Sequence, residues 1–242
     1  MAAGKKEITL GIYVMSYKRS HCIMTQDLFD DCTYVVRKSE EEAYKNAGVK
    51  NVWGVEDDLI DSGQKVYWYI ITNAPEDVIF VADDDIEDVY YRTDKTERLN
   101  KDKEIIISEV ERIAQLLVDL NLGYAAIDAT GVPYGFDGEF AFKGTSGSMK
   151  WVYKKAFKSK IDTRVPYNYD LDIILQELLH NRIVLKPRYL VGKDKGDVNA
   201  GGDQVKKTIA KRKDSVTNMQ LKWGSYFGYN WDNNRPRIVV PR

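Results

Sequence analysis

At 242 residues, with 43% hydrophobic and 30% charged residues, the chain excludes general disorder and is long enough for one substantial core. Two cysteines, Cys22 and Cys32, exclude a disulfide framework, and no run of about 18 apolar residues is present to cross a membrane. The opening residues hold no secretory pattern, so a cytoplasmic protein without a membrane partner is expected. The net charge of −1 conceals an acidic front and a basic rear. Residues 1–111 hold 24 acidic and 14 basic residues, and residues 186–242 hold 13 basic and 5 acidic.

Residues 8–14 (Ile-Thr-Leu-Gly-Ile-Tyr-Val) form a near-continuous apolar run, the pattern of a strand buried on both faces of a parallel sheet. A polar, basic loop from Ser16 to Ser20 follows. A second strand over 34–37 stops before Ser39, which with Glu42 predicts a capping box and a helix carrying Ala43 and Tyr44. A third strand is expected at 51–55. Asp61 or Ser62 then caps a helix with Val66, Tyr69, Ile70 and Asn73 on one side. Pro75 blocks its continuation, and 78–82 (Val-Ile-Phe-Val-Ala) is the clearest strand in the chain. This alternation predicts a doubly wound α/β sheet in one domain over 1–242. Ligands in such sheets sit beyond the carboxyl ends of the strands, where the Ser16–Ser20 and Asp83–Asp85 clusters fall.

Further on, Ile106, Val110, Ile113, Leu117 and Leu120 make one apolar stripe, which predicts a helix over 102–120 ended by Gly123. Residues 131–147 mix five glycines with aromatics and read as short strands or a loop over a site. A helix is expected at 170–180 and a strand at 183–190. Residues 192–202, rich in glycine and charge, read as a mobile loop that could close over a diphosphate with Lys193 and Lys195. In the tail, Trp223, Phe227 and Trp231 either offer stacking surfaces or complete the core. Two glycines there argue against a helix.

Asp83, Asp84 and Asp85 are the strongest candidates for chemistry. Three consecutive carboxylates after a buried strand repel one another unless a cation neutralises them, and hard Mg²⁺ or Mn²⁺ suits such oxygens. A solvated acidic turn is the plainer alternative. Asp170 and Asp172 open the 170–180 helix, where acidic residues also serve as caps or first-turn charges.

Three blocks bring a family into view: Tyr-Val-x-Ser-Tyr-Lys-Arg at 13–19, Val-Val-Arg-Lys-Ser-Glu-Glu-Glu-Ala-Tyr at 35–44, and Asp-Asp-Asp-Ile at 83–86. Over residues 8–90 the chain resembles GT-A glycosyltransferases, and more finely the compact TET/JBP-associated glycosyltransferases of phages. The resemblance implies a GT-A-like, mostly parallel sheet flanked by helices, with a nucleotide-sugar half over about 1–100 and an acceptor half over about 101–242. It implies transfer of a sugar from a nucleoside-diphosphate sugar to a hydroxyl, with a hydroxymethyl-pyrimidine in phage DNA as acceptor.

On this reading Asp83 and Asp85 hold Mn²⁺ or Mg²⁺, while Ser16, Lys18, Arg19, Arg37, Ser39, Asp83 and Asp84 bind the donor. Asp170 or Asp172 takes the acceptor proton, with Asp137 and Glu139 as alternatives. Lys206, Lys207, Lys211 and Trp223 would grip the nucleic acid, through phosphates and a stacked base. The expected assembly is a monomer or simple homodimer. Two other readings stay open: a nucleotidyltransferase on the same kind of sheet, and a non-catalytic nucleic-acid-binding module.

Overall fold

The computed structural model describes residues 8–93, 95–128, 137–195 and 208–241. Its apolar runs become strands β1 (Leu10–Met15), β2 (Thr33–Arg37), β3 (Asn51–Val55) and β4 (Val78–Asp83), all parallel. Two more strands, β7 (Tyr124–Ala126) and β9 (Met149–Tyr153), extend the sheet beyond β4. The order is β3-β2-β1-β4-β9-β7, with β9 antiparallel to both of its neighbours. A smaller antiparallel sheet pairs β5 (Ile86–Arg92) with β6 (Thr96–Arg98) and β11 (Leu190–Asp194). The short strands β8 (Phe140–Ala141) and β10 (Lys186–Pro187) pair with each other, as do β12 (Phe227–Asn230) and β13 (Arg235–Ile238).

Helices cover both faces of the main sheet. Alternating strand residues decide which side each helix sees, because successive side chains of a strand point to opposite faces. Val78, Phe80 and Ala82 of β4 join Trp151 and the stripe Ile106, Val110, Ile113 and Leu117 of α3 (Lys103–Asp119), with Tyr44 of α1 (Glu41–Asn46). Ile79 and Val81 join Ile70 and Ile71 of α2 (Gly63–Asn73) and Ile174 of α4 (Tyr169–His180), together with Val216 and Met219 of α5 (Ile209–Trp223). Trp151, fully buried, donates its indole N–H to the Val110 carbonyl at 3.1 Å, so the antiparallel strand is fastened to α3 by a polar contact as well as by packing. No described helix is long and apolar enough to cross a membrane.

Several expectations are corrected. Ser39 caps no helix: it lies in a 3₁₀ turn over Lys38–Glu40, and its N–H and hydroxyl both go to Asp57, at 3.0 and 2.6 Å. Asp170 is not a cap either; Asn168 takes that position and Asp170 falls in the first turn of α4. The 102–120 stripe stops short, since Leu120 is the C-cap and 52% exposed. The 183–190 segment contains β10 and the start of β11 rather than one strand. Gly192, Lys193 and Asp194 belong to β11, where register with β5 holds them and Lys193 pairs with Glu87 at 2.9 Å. The remainder of the predicted closing loop, 196–202, lies outside the described residues, as do 131–136. The aromatic tail, by contrast, is non-helical beyond Trp223 as its glycines suggest: α5 ends at Trp223, Gly224 follows at a positive φ of 54°, and Phe227–Asn230 form β12.

Candidate active site

Strand β1 has β2 on one side and β4 on the other, so the chain reverses its direction of travel across the sheet between β1 and β4. Open α/β sheets bind ligands at the carboxyl ends of the strands beside such a switch. A cavity of about 440 Å³ opens there. Its walls come from the loop after β1 (Ser16, Tyr17, Arg19), the end of β2 (Arg37) and the acidic turn after β4 (Asp83, Asp84, Asp85). Because β9 runs antiparallel to β4, its start reaches the same end of the sheet and adds Gly147, Ser148 and Lys150. Asp170 of α4 and Asp194 of β11 complete the ring of charged groups.

The acidic turn is pinned from beneath. Buried Thr25 donates its hydroxyl to the Asp83 carbonyl at 2.8 Å and accepts the Ile86 N–H at 3.2 Å, so both ends of the turn meet one side chain. The Asp83 N–H reaches the Ser148 carbonyl at 3.0 Å, and the Lys195 N–H reaches the Asp85 carbonyl at 2.9 Å.

Within the turn the three carboxylates differ. Asp84 is only 4% exposed and accepts hydrogen bonds from Ser16 and Arg19. Burial pushes its carboxyl up to about 6, against those two contacts, which favour the charged form. For Arg19, burial opposes the charge, but Asp84 together with Asp85 and Asp83 offsets it and the guanidinium is raised. At neutral pH the pair is therefore ionised on both sides. Tyr44 supports it, with its hydroxyl 2.6 Å from Ser16 and 3.0 Å from the Arg19 N–H.

Asp83 is the most open of the three, with its side chain 40% exposed and the Lys150 ammonium 3.3 Å away. Asp85 lies 3.2 Å from Arg19, and burial followed by the Asp83 charge raises it. Asp194 is raised to about 7, by burial and then by Asp83 and Asp85, with Ser148 opposing. Asp170 is raised by burial, with Lys150 opposing.

Asp83 and Asp85 thus offer hard oxygen ligands to one open space. Among the described residues no three His, Cys, Asp or Glu side chains come together as a cage for an ion. Mg²⁺ or Mn²⁺ fits such a set nonetheless, since these ions commonly take one or two carboxylates and fill their shells with phosphate and water.

Of the residues expected to bind a donor, Ser16, Arg19, Arg37, Asp83 and Asp84 line the cavity. Ser16 and Arg19 do so while committed to Asp84. Arg37 stacks on the Tyr17 ring at 4.5 Å. Lys18 and Ser39 do not line the cavity: the Lys18 ammonium lies 5.3 Å from the Tyr17 centroid, and Ser39 is exposed beside Asp57.

Asp172 is corrected as a catalytic candidate. It is 2% exposed, lies off the cavity, and accepts from the Trp223 indole at 2.7 Å, Gln176 at 2.8 Å and Lys222 at 2.8 Å. The same contacts correct Trp223, which packs on the core as a tether for α5 instead of offering a ring to a base. Lys211 lies exposed on α5, and Lys206 and Lys207 lie outside the described residues. Asp172→Ala is expected to lower unfolding stability by about 2–3 kcal/mol, because it leaves the indole N–H without its acceptor and takes from Lys222 one of its two carboxylates. Urea unfolding of this variant against Asp170→Ala checks the assignment, since exchange of the cavity-lining Asp170 is expected to cost less stability.

Lys150, Ser148 and Asp194 escape a reading by strand order. The antiparallel strand that delivers Lys150 has no flanking motif, and its signal is a lysine inside the apolar run Met-Lys-Trp-Val-Tyr. Lys150 is 4% exposed. Gly147 carries a steric signal: a Cβ there would come within 2.6 Å of the Asp128 carbonyl oxygen, so only glycine lets the two backbones approach.

No family model matches the chain, and no curated protein matches it in sequence. Solved structures do match it in fold. Glucosyl-3-phosphoglycerate synthase from Mycobacterium tuberculosis, crystallised with Mn²⁺, UDP-glucose and phosphoglyceric acid, superposes with a TM-score of 0.51 at 9% identity, covering 97% of this chain and 87% of that one. The same enzyme with Mn²⁺, UDP-glucose and glycerol 3-phosphate gives 0.52 at 9% identity, with the same coverage. A further mycobacterial protein gives 0.52 at 9% identity, covering 95% of this chain and 82% of that one. The shared architecture is the GT-A fold: a mixed, mostly parallel sheet flanked by helices in a single domain.

Proposed function

We propose that the chain transfers a sugar from a nucleoside-diphosphate sugar to a hydroxyl group, with Mn²⁺ or Mg²⁺ held by Asp83 and Asp85. One observation carries the reading. The acidic turn, Lys150 and Asp170 converge at the carboxyl ends of β1 and β4, on a fold shared with a synthase crystallised with Mn²⁺ and UDP-glucose. When bound, the ion supplies Lewis-acid neutralisation of the departing diphosphate. Lys150 holds Asp83 in position and adds positive charge beside it. Tyr17, with Arg37 on its ring, offers a flat, polarisable wall for a nucleobase. Asp170 faces the same space, and burial raises its proton affinity, the direction that suits a base taking a hydroxyl proton.

A division of labour at about residue 100 fits this reading poorly, because Ser148, Lys150 and Asp170 line the cavity with the first-half residues. The acceptor we favour is a small hydroxyl compound rather than DNA. Trp223 is taken up by Asp172, and the synthase that shares the fold was crystallised with small phosphorylated compounds.

Calorimetric titration with UDP and UDP-glucose, with Mn²⁺ and again with chelator, tests the donor reading. Metal-dependent binding is expected, followed by release of the nucleoside diphosphate on turnover. Release of pyrophosphate would instead mark a nucleotidyltransferase. No metal-dependent binding across a panel of nucleoside diphosphates would sink both.

A further inference from the structure

We propose that a second cavity, adjoining the first through shared wall residues, is a phosphate-binding subsite that anchors the acceptor. It measures about 690 Å³, and Asp61, Ser62, Pro166 and Tyr167 line both spaces. A molecule seated in it can therefore present a hydroxyl to the cavity that holds the acidic turn. Its wall gathers three cations from segments distant in the chain: Lys65 of α2, Arg164 of the segment before α4, and Lys211 of α5. Asp61 and Asp214 are the carboxylates lining the same wall.

The three cations are held differently. Lys65 lies 2.7 Å from Asp61. Arg164 is oriented by Asp162, which receives its Nε and one terminal nitrogen at 2.9 and 2.8 Å, while its side chain stays 65% exposed. Lys222, at 3.1 Å, shares Asp162 and also pairs with Asp172 at 2.8 Å, so these two cations and two carboxylates balance one another. Lys211 is exposed and has no ion-pair partner among the described residues. An oriented guanidinium beside a free ammonium is the donor set that phosphate oxygens favour, a planar fork with a point charge. Thr163, also on the wall, adds a hydroxyl.

The use of this subsite in transfer rests on the donor reading above, but its occupancy by phosphate does not. The phosphate can belong to a small phosphorylated alcohol or to a nucleic-acid strand, and the chemistry of recognition is the same.

The test uses the full isotope-labelled chain, with amide shifts followed by NMR. Inorganic phosphate and glycerol 3-phosphate are expected to move the amides of Thr163, Arg164, Val165 and Tyr167 and of residues 208–215. Lys211→Glu is expected to weaken both by about tenfold, in line with loss of one charged hydrogen bond, and to leave UDP–Mn²⁺ affinity within twofold. A short oligonucleotide carrying hydroxymethylcytosine forms a second arm. Binding of the oligonucleotide but not glycerol 3-phosphate, lost in Lys211→Glu, upholds the subsite and assigns its phosphate to nucleic acid. Shifts confined to other residues, or equal affinity in wild type and Lys211→Glu, overturn the subsite. Phosphate binding that persists where UDP–Mn²⁺ binding fails would overturn the donor reading alone.

Discussion

Exchange of Asp83 or Asp85 for asparagine is expected to cut sugar transfer by about a thousandfold while leaving the fold as stable as before. The loss follows from the role proposed for these oxygens: a divalent ion supplies several kcal/mol to the charge developing on a leaving diphosphate, and a neutral amide binds it poorly. Stability behaves differently, because the site is built with excess negative charge. Burial and then the Asp83 charge already raise Asp85, and both carboxylates raise Asp194, so removing one charge relieves repulsion. Neither exchange abandons a cation. Arg19 keeps Asp84 when Asp85 is neutralised, and Lys150 keeps the field of Asp170 and Asp194 when Asp83 is neutralised. Midpoints in urea should therefore shift by less than about 1 kcal/mol. Parallel turnover assays and urea melts check both halves. Full turnover by either variant, or by the wild type stripped of divalent ions, would refute the metal role.

The parallel half of the sheet was readable because each of its strands advertises itself. The runs at 8–14 and 78–82 are apolar on both faces, and their carboxyl ends carry polar clusters that only a crevice would gather. The Ser16–Ser20 and Asp83–Asp85 clusters could thus be expected at one edge from chain order, whereas Arg37 came only with the resemblance. What escaped reading depends on pairing across long separations. Lys150 enters the cavity because β9 pairs antiparallel with β4, and nothing local distinguishes that pairing from a parallel one. Asp194 enters because β11 pairs with β5 across about a hundred residues, and glycine content read locally as a loop. The acidic pair at the start of α4 shows the same limit. Asp170 and Asp172 are two positions apart and so face different sides of a helix, but which one meets the cavity depends on where α5 packs. Lys222 and Trp223 of that helix claim Asp172.

Arg19→Met is expected to destabilise the chain by about 3–5 kcal/mol at pH 8, the cost of leaving a buried carboxylate without its cation. Arg19 lines the cavity while its guanidinium meets Asp84 and Asp85, and its backbone N–H meets Tyr44. The size of the effect should depend on pH, with a definite sign. Burial already raises Asp84 to about 6, and the Arg19 charge, with the Ser16 hydroxyl, holds it down. With that charge gone, the folded-state value rises further while the unfolded value stays near the ordinary one for aspartate, about 3.9. The folded variant then binds the extra proton, so its stability falls as pH climbs from the unfolded toward the folded value. The deficit relative to wild type should accordingly be small at pH 5 and full at pH 8. Arg19→Met combined with Asp84→Leu should recover most of the loss, because replacing a buried pair with apolar groups is often neutral. Urea melts of the three proteins at the two pH values decide the matter. A single-variant deficit that is the same at both pH values, and that the double variant does not recover, would mean Arg19 acts by packing alone and that Asp84 needs no counter-charge.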